Sequence, residues 1–220
     1  MDSLYRSYNM EVASAYVIAL SKNTVSLDLA NRCLASCVQA QMPAQLYEGF
    51  DGTTGTVCAP LHLRDAGWYK WLKVTDHHLS STEVACALSH IALWVKCMEL
   101  DRPIVILEHD AVMTQAYLHH QAYNAVVYLG CKEQLTQQSG ALVPPLSSIN
   151  KNWFFINRAH AYAIDPSVAK RLFGLVLDRG IFESLDIMIK ADDVAIVQTG
   201  MFAYDCPGET TITQRKQDIT

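Results

Sequence analysis

The chain has 220 residues, half of them hydrophobic and 18% charged, with a formal charge of −5 at neutral pH. That length supports one sizeable hydrophobic core, and the negative balance disfavours a general polyanion-binding role while leaving room for a local basic patch. No run approaches the roughly 20 apolar residues of a membrane span, and Met1 to Met10 is too polar for the core of a signal peptide, so a soluble cytoplasmic protein is expected.

In chain order, Ala15 to Leu20 reads as a strand, and Val25 to Gln41 carries Leu27, Ala30, Leu34 and Val38 at helical spacing before Pro43. This is a β-α-β opening. Leu20 to Asp28 contains no glycine for a G-x-G-x-x-G turn, which argues against a dinucleotide-binding dehydrogenase. The Gly- and Thr-rich segment Asp51 to Val57 and the irregular stretch to Leu79 form a long loop, a length that in a compact domain signals function or mobility. Trp68, Tyr69 and Trp71 lie in it beside Lys70 and Lys73, and bulky side chains of this kind anchor a loose loop. The same cluster could stack on a sugar, or on the bases of a single-stranded nucleic acid.

Ser80 with Glu83 three residues on has the form of a capping box, and Val84, Leu88, Ile91, Val95 and Met98 then mark one buried face of a helix. Asp101, Arg102 and Pro103 break it. Ile104 to Leu107 is a short continuous apolar run suited to a strand buried on both faces, with Glu108 and Asp110 where it emerges. In extended backbone Glu108 and Asp110 point one way and His109 the other, so the two carboxylates can share a ligand, and hard cations that bridge to phosphate favour such oxygens. A second long loop spans Cys131 to Asn152. Asp165 as cap and Pro166 at the first helical position open another helix, which Gly180 ends. Asp186 lies in the amphipathic stretch Phe182 to Ile189, and Asp192 and Asp193 sit in a turn before the strand Val194 to Thr199. The seven cysteines are an odd set with no C-x-x-C pair, which predicts reduced thiols rather than a disulfide framework or a zinc site; Cys33 and Cys37, four apart on a helix, read as core. One α/β domain over residues 1–220, with peripheral tails at 1–14 and 207–220, is the expectation.

The segment T-E-V-A-C-A-L-S-H-I-A-L-W (Thr82 to Trp94), followed by R-P-I-V-I-L-E-H-D-A (Arg102 to Ala111), closely resembles the signature of glycosyltransferase family 25, which contains lipooligosaccharide and collagen galactosyltransferases. Tyr16 to Leu20 resembles the family's first strand, Tyr47 to Gly52 its second strand end and Ala125 to Gly130 a later strand. His160 to Ile164 with Pro166 and Ala169 to Leu172 resembles H-A-Y-x-I-x-P-x-x-A-K-x-L, and Ser184 to Ile187 resembles the family's P-V-D segment. The middle acid of the family's E-D-D is His109 here, and Ser21 to Thr24 keeps only one cation where the family has a basic position.

The resemblance implies a GT-A-like Rossmann-type sheet flanked by helices. It implies inverting transfer of a hexose, from UDP-galactose or UDP-glucose, to a hydroxyl of a glycan acceptor with Mn²⁺ or Mg²⁺. The donor would meet the ends of the first two strands at Leu20, Ser21, Tyr47, Phe50 and Asp51, with Ser89 and His90 from the signature helix. Glu108, Asp110 and His160 are the candidate metal ligands, and Asp186, matching the P-V-D acid, is the candidate base. A non-catalytic nucleotide- or carbohydrate-binding relative and a transferase acting on a modified nucleic-acid base are the alternatives. Nucleic acid is not the expected partner, and the oligomeric state stays open.

Overall fold

The computed structural model describes residues 11–12, 14–119, 124–130, 141–142 and 159–205. The expected tail 207–220 and, apart from residues 141 and 142, the loop Cys131 to Asn152 lie outside the described residues.

The short strand β1 (Glu11–Val12) stands apart from the strand β2 (Ser14–Ala19). Helix α1 (Thr24–Gln39) is capped by the Asn23 side chain, which accepts from Ser26 N, and leads to β3 (Ala44–Glu48). After the long loop comes α2 (Ser81–Leu100), where the capping box forms in full: Ser80 Oγ accepts from the Glu83 amide and the Glu83 carboxylate accepts from the Ser80 amide. Asp101 ends the helix in the left-handed region at φ 48°. The buried run Ile104–Glu108 is β4, followed by β5 (Ala111–Met113) and β6 (Leu118–His119), the antiparallel partner of β1. Strands β7 (Val126–Gly130), β8 (Ala141–Leu142) and β9 (Ala161–Ile164) precede α3 (Pro166–Arg179), which Asp165 caps and Gly180 stops. The short helix α4 (Leu185–Met188) and the long strand β10 (Ile196–Asp205) complete the chain.

The main sheet has the order β3-β2-β4-β9-β7-β10-β5, with β8 also on β10. Strands β2, β3 and β4 are parallel, whereas β9 runs antiparallel between β4 and β7. This mixed α/β sheet is Rossmann-like. The chain leaves β2 through α1 to β3 on one side and returns through α2 to β4 on the other. The strand order therefore reverses between β2 and β4, and a crevice opens beyond their carboxyl ends.

Alternating side chains of the shared strands build a core on each face. Tyr16, Ile18, Ile104, Ile106, Tyr162 and Ile164 pack under α2 and α3. Ala15, Val17, Val105, Leu107, Ala161 and Ala163 pack under α1 with Ala30, Cys33 and Cys37. The face of α1 matches the expected stripe Leu27, Ala30, Leu34 and Val38 only in part: Ala30 is buried and Leu34 packs against the core at its edge. Val38 is 76% exposed, and Ser26, Leu29, Cys33, Ser36 and Cys37 join Ala30 on the buried face. Small residues let the helix approach the sheet closely, and Ser36 Oγ accepts from the β5 amide of Met113 at 2.9 Å while donating to Cys33 O. The long loop is anchored as expected, but by two of its three aromatics. Trp68 meets Phe173 edge-on, Tyr69 meets Phe50, and Trp71 is 82% exposed.

Candidate active site

The crevice at the strand-order reversal holds a pocket. The end of β2 contributes Ile18, Ala19 and Leu20; the segment after β3 contributes Phe50, Gly52 and Thr53; α2 supplies Thr82, Ala85, Cys86, Ser89 and His90; Glu108, His109 and Asp110 close it after β4. Its cavity volume of about 70 Å³ suits a hydrated cation or part of a diphosphate, so a whole nucleotide sugar would extend over its mouth.

Short polar side chains set its walls. Ser89 Oγ donates to Ala85 O and accepts from Phe50 N, both at 2.8 Å, which ties the end of β3 to α2. Ser81 Oγ donates to Gly52 O at 2.6 Å, and a Cβ on Gly52 would lie 2.1 Å from Ser81 O. Only glycine permits that approach of loop to helix.

Opposite sides of β4 carry different chemistry. The Glu108 carboxylate lies 3.4 Å from His90 Nε2 and 3.8 Å from Cys86 Sγ, on the α2 side. His109 faces α1, its Nδ1 3.3 Å from Ser26 Oγ, which also accepts from Leu20 N at 3.0 Å. His90 is held from behind: Nδ1 lies 2.9 Å from Tyr162 Oη, Trp94 Nε1 donates to the same hydroxyl at 2.9 Å, and the His90 and Tyr162 rings stack.

Burial governs the electrostatics here. It pushes the Glu108 carboxyl up to about 7, with the Asp205 charge adding to the rise and the Cys86 thiol hydrogen bond opposing it. Burial holds His90 down at about 3 against the pull of Asp186. His109 is held at about 4 by burial and then by Arg32. The Cys86 thiol is pushed up by burial and by the charges of Glu108, Asp186 and Asp110.

Of the residues singled out from sequence, Leu20, Phe50, Ser89, His90, Glu108 and Asp110 line this one pocket. Asp186, at the start of α4, accepts from Ala159 N at 3.0 Å and lies close enough for its charge to act on His90 and Cys86. The remaining four sit elsewhere. Ser21 Oγ donates to Glu48, and Asp51 accepts from the amide and hydroxyl of Thr53 while bridging to Cys58. Tyr47 is packed edge-on between Tyr16 and His62. His160 stands edge-on to Tyr128 over Gly130, where a Cβ would come within 2.4 Å of its ring; its carbonyl accepts from Glu108 N. Asp193, in the turn before β10, is paired with Arg179 at 2.9 Å.

Sequence reasoning missed Cys86, Thr82 and Gly52. Cys86 precedes His90 by four residues, one helical turn, and that spacing was the available signal.

The sequence profile of glycosyltransferase family 25 (LPS biosynthesis protein) matches residues 13–189. The chain belongs to this family. No curated protein matches it. Family 25 membership makes the protein a glycosyltransferase with a nucleotide-sugar donor and an acceptor, in a family described by lipopolysaccharide biosynthesis. The match takes in every pocket residue and Asp186, and ends before β10. Among the described residues, no helix is long and apolar enough to cross a membrane.

Proposed function

We propose that this family 25 protein is an inverting, cation-dependent hexosyltransferase with a GT-A-like site, moving galactose or glucose from its uridine diphosphate to a hydroxyl of a glycan acceptor. The observation that carries this reading is the convergence on one pocket of Leu20 and Phe50 from the strand ends, Ser89 and His90 from the signature helix, and Glu108 and Asp110.

The residues present fit a hard divalent cation. Two carboxylates line the pocket, and burial of Glu108 makes its ionised form costly unless a positive charge comes with the donor. A cation bound by Asp110 and Glu108 would supply charge neutralisation for the leaving diphosphate. His160 would act on this site through its carbonyl, which positions the Glu108 amide, rather than as a ligand.

The protein's own groups do the remaining work. Phe50 offers a flat apolar wall for the uracil ring, backed by Tyr69, while Asp51 shapes the turn carrying Thr53 to the rim. Tyr47 supports this wall from the core, and Ser21 orders the carboxyl edge of β2 by its bond to Glu48. Neutral His90 keeps the pocket floor free of a competing positive charge. Asp186 takes the proton of the attacking acceptor hydroxyl as its oxygen bonds to the anomeric carbon and the nucleoside diphosphate departs.

Incubating the protein with a panel of nucleotide sugars and measuring Mn²⁺-dependent release of free nucleoside diphosphate tests the proposal. Release from uridine diphosphate galactose or glucose, abolished by chelator, is the expected result. Release that persists undiminished in chelator would remove the cation from the mechanism.

A further inference from the structure

We propose that Cys86, His90 and Glu108 form a binding site for a borderline-soft divalent ion of the Zn²⁺ type, beside the hard cation proposed at Asp110 and sharing the Glu108 carboxylate with it. Sequence alone argued against zinc, because no C-x-x-C pair is present. The fold assembles the donors differently: Cys86 and His90 share a face of α2 one turn apart, and Glu108 arrives from the end of β4.

The first argument is distance. The three ligand atoms all lie within 4.8 Å of one another, with 3.4 Å from His90 Nε2 to Glu108 Oε1 and 3.8 Å from Cys86 Sγ to the same oxygen. A tetrahedral zinc with its usual bonds to thiolate, imidazole and carboxylate has ligand-to-ligand edges of about 3.3 to 3.6 Å. The two edges at Glu108 are within a few tenths of an ångström of that, and the third, between Cys86 Sγ and His90 Nε2, is no longer than 4.8 Å, a gap that side-chain rotation can close.

The second argument is an orphaned atom. His90 is fully buried, and its Nε2 has no hydrogen-bond partner, although it faces Glu108. Its other nitrogen meets the Tyr162 hydroxyl, which Trp94 fixes in turn. A metal-ligating histidine is oriented in this way, one ring nitrogen on a fixed partner and the other toward the ion. A bound ion would give Nε2 the partner it lacks.

The donor set then selects the ion. Thiolate with imidazole favours Zn²⁺ or Co²⁺ over Mn²⁺ and Mg²⁺, which prefer oxygen. Binding displaces the thiol proton of Cys86 to solvent. Three protein ligands leave a fourth position, and because all three residues line the pocket, that position is open to water or to an oxygen of a bound ligand.

The test uses Co²⁺ as a spectroscopic probe on the full-length, reduced, metal-free protein, with no nucleotide sugar present. A negative result therefore leaves the transferase proposal standing. The expected result is one Co²⁺ per chain, with a near-ultraviolet thiolate-to-cobalt band that Zn²⁺ bleaches. The nearly isosteric Cys86→Ser variant, checked for native circular dichroism, should lose that band and at least about 10-fold in affinity, whereas Asp110→Asn should keep both. A wild-type protein without the band, a Cys86→Ser variant that keeps it, or an Asp110→Asn variant that loses it would each overturn the site.

Discussion

At the scale of single residues, the end of β4 and the turn His109–Asp110 that follows it separate two jobs. His109 turns to Ser26 and α1, while Glu108 turns to α2. His109→Asp, which restores an acid at that position, should keep transfer within a few-fold, whereas Asp110→Asn should remove nearly all of it; equal damage in steady-state assays would contradict the division. Asp186→Asn should lower single-turnover transfer by about 10²-fold or more while leaving donor affinity intact, the pattern of a lost general base. A parallel fall in donor binding would assign Asp186 to the nucleotide instead.

The buried titratable groups also predict how the apoprotein responds to pH. Between about pH 4.5 and 6.5 the unfolded chain protonates both histidines and ionises Glu108, whereas the fold keeps His90 and His109 neutral and Glu108 protonated. Unfolding then takes up two protons and releases one. Stability should rise with pH across this window by at most about 1.4 kcal/mol per unit, the slope of one proton. Above that window the histidine contribution is complete, while the Glu108 contribution declines throughout it and is gone once pH passes about 7. In Glu108→Gln the opposing proton is gone, so the slope should roughly double. Denaturant melts at several pH values would measure it, and an unchanged slope would show that Glu108 ionises normally in the fold.

At the scale of elements, α2 determines the site because its first turn holds the rim loop and its middle turns floor the pocket. Ser80→Ala removes the capping acceptor and should cost about 1 kcal/mol, read from a shift in denaturation midpoint. Gly52→Ala meets the carbonyl of Ser81, a backbone atom that cannot swing aside. The rim must then shift, and donor affinity measured by titration calorimetry should fall about 10-fold or more with the fold retained. Normal donor affinity would mean that the nucleotide does not touch this rim. The strands β2 and β4, the capping box, the Asp165 cap and the Gly180 stop were legible in the sequence, because each depends on residues a few positions apart. The buried face of α1 was not. Ala30 lay on the expected stripe, but close packing on the sheet turned the helix so that Ser26, Cys33, Ser36 and Cys37 are buried and Val38 is exposed.

At the scale of the molecule, β2 and β4 contribute alternate side chains to both cores, so neither layer can melt while the other stays intact. Ile106→Ala on the α2 side and Leu107→Ala on the α1 side should each cost about 2–5 kcal/mol, and far-UV dichroism and tryptophan fluorescence should report one coincident transition. Separate transitions would show that the layers unfold independently. The sequence by itself determined the family signature, the order of elements near it and the two carboxylates after a buried strand, all of them carried by local spacing. The tertiary structure alone decided that Glu108 meets Cys86 and His90, that His160 turns toward Gly130, and that Tyr47 serves the core. Those outcomes follow from which strands are neighbours and which face each helix covers, and such contacts join residues whose separation along the chain says nothing of their distance in space.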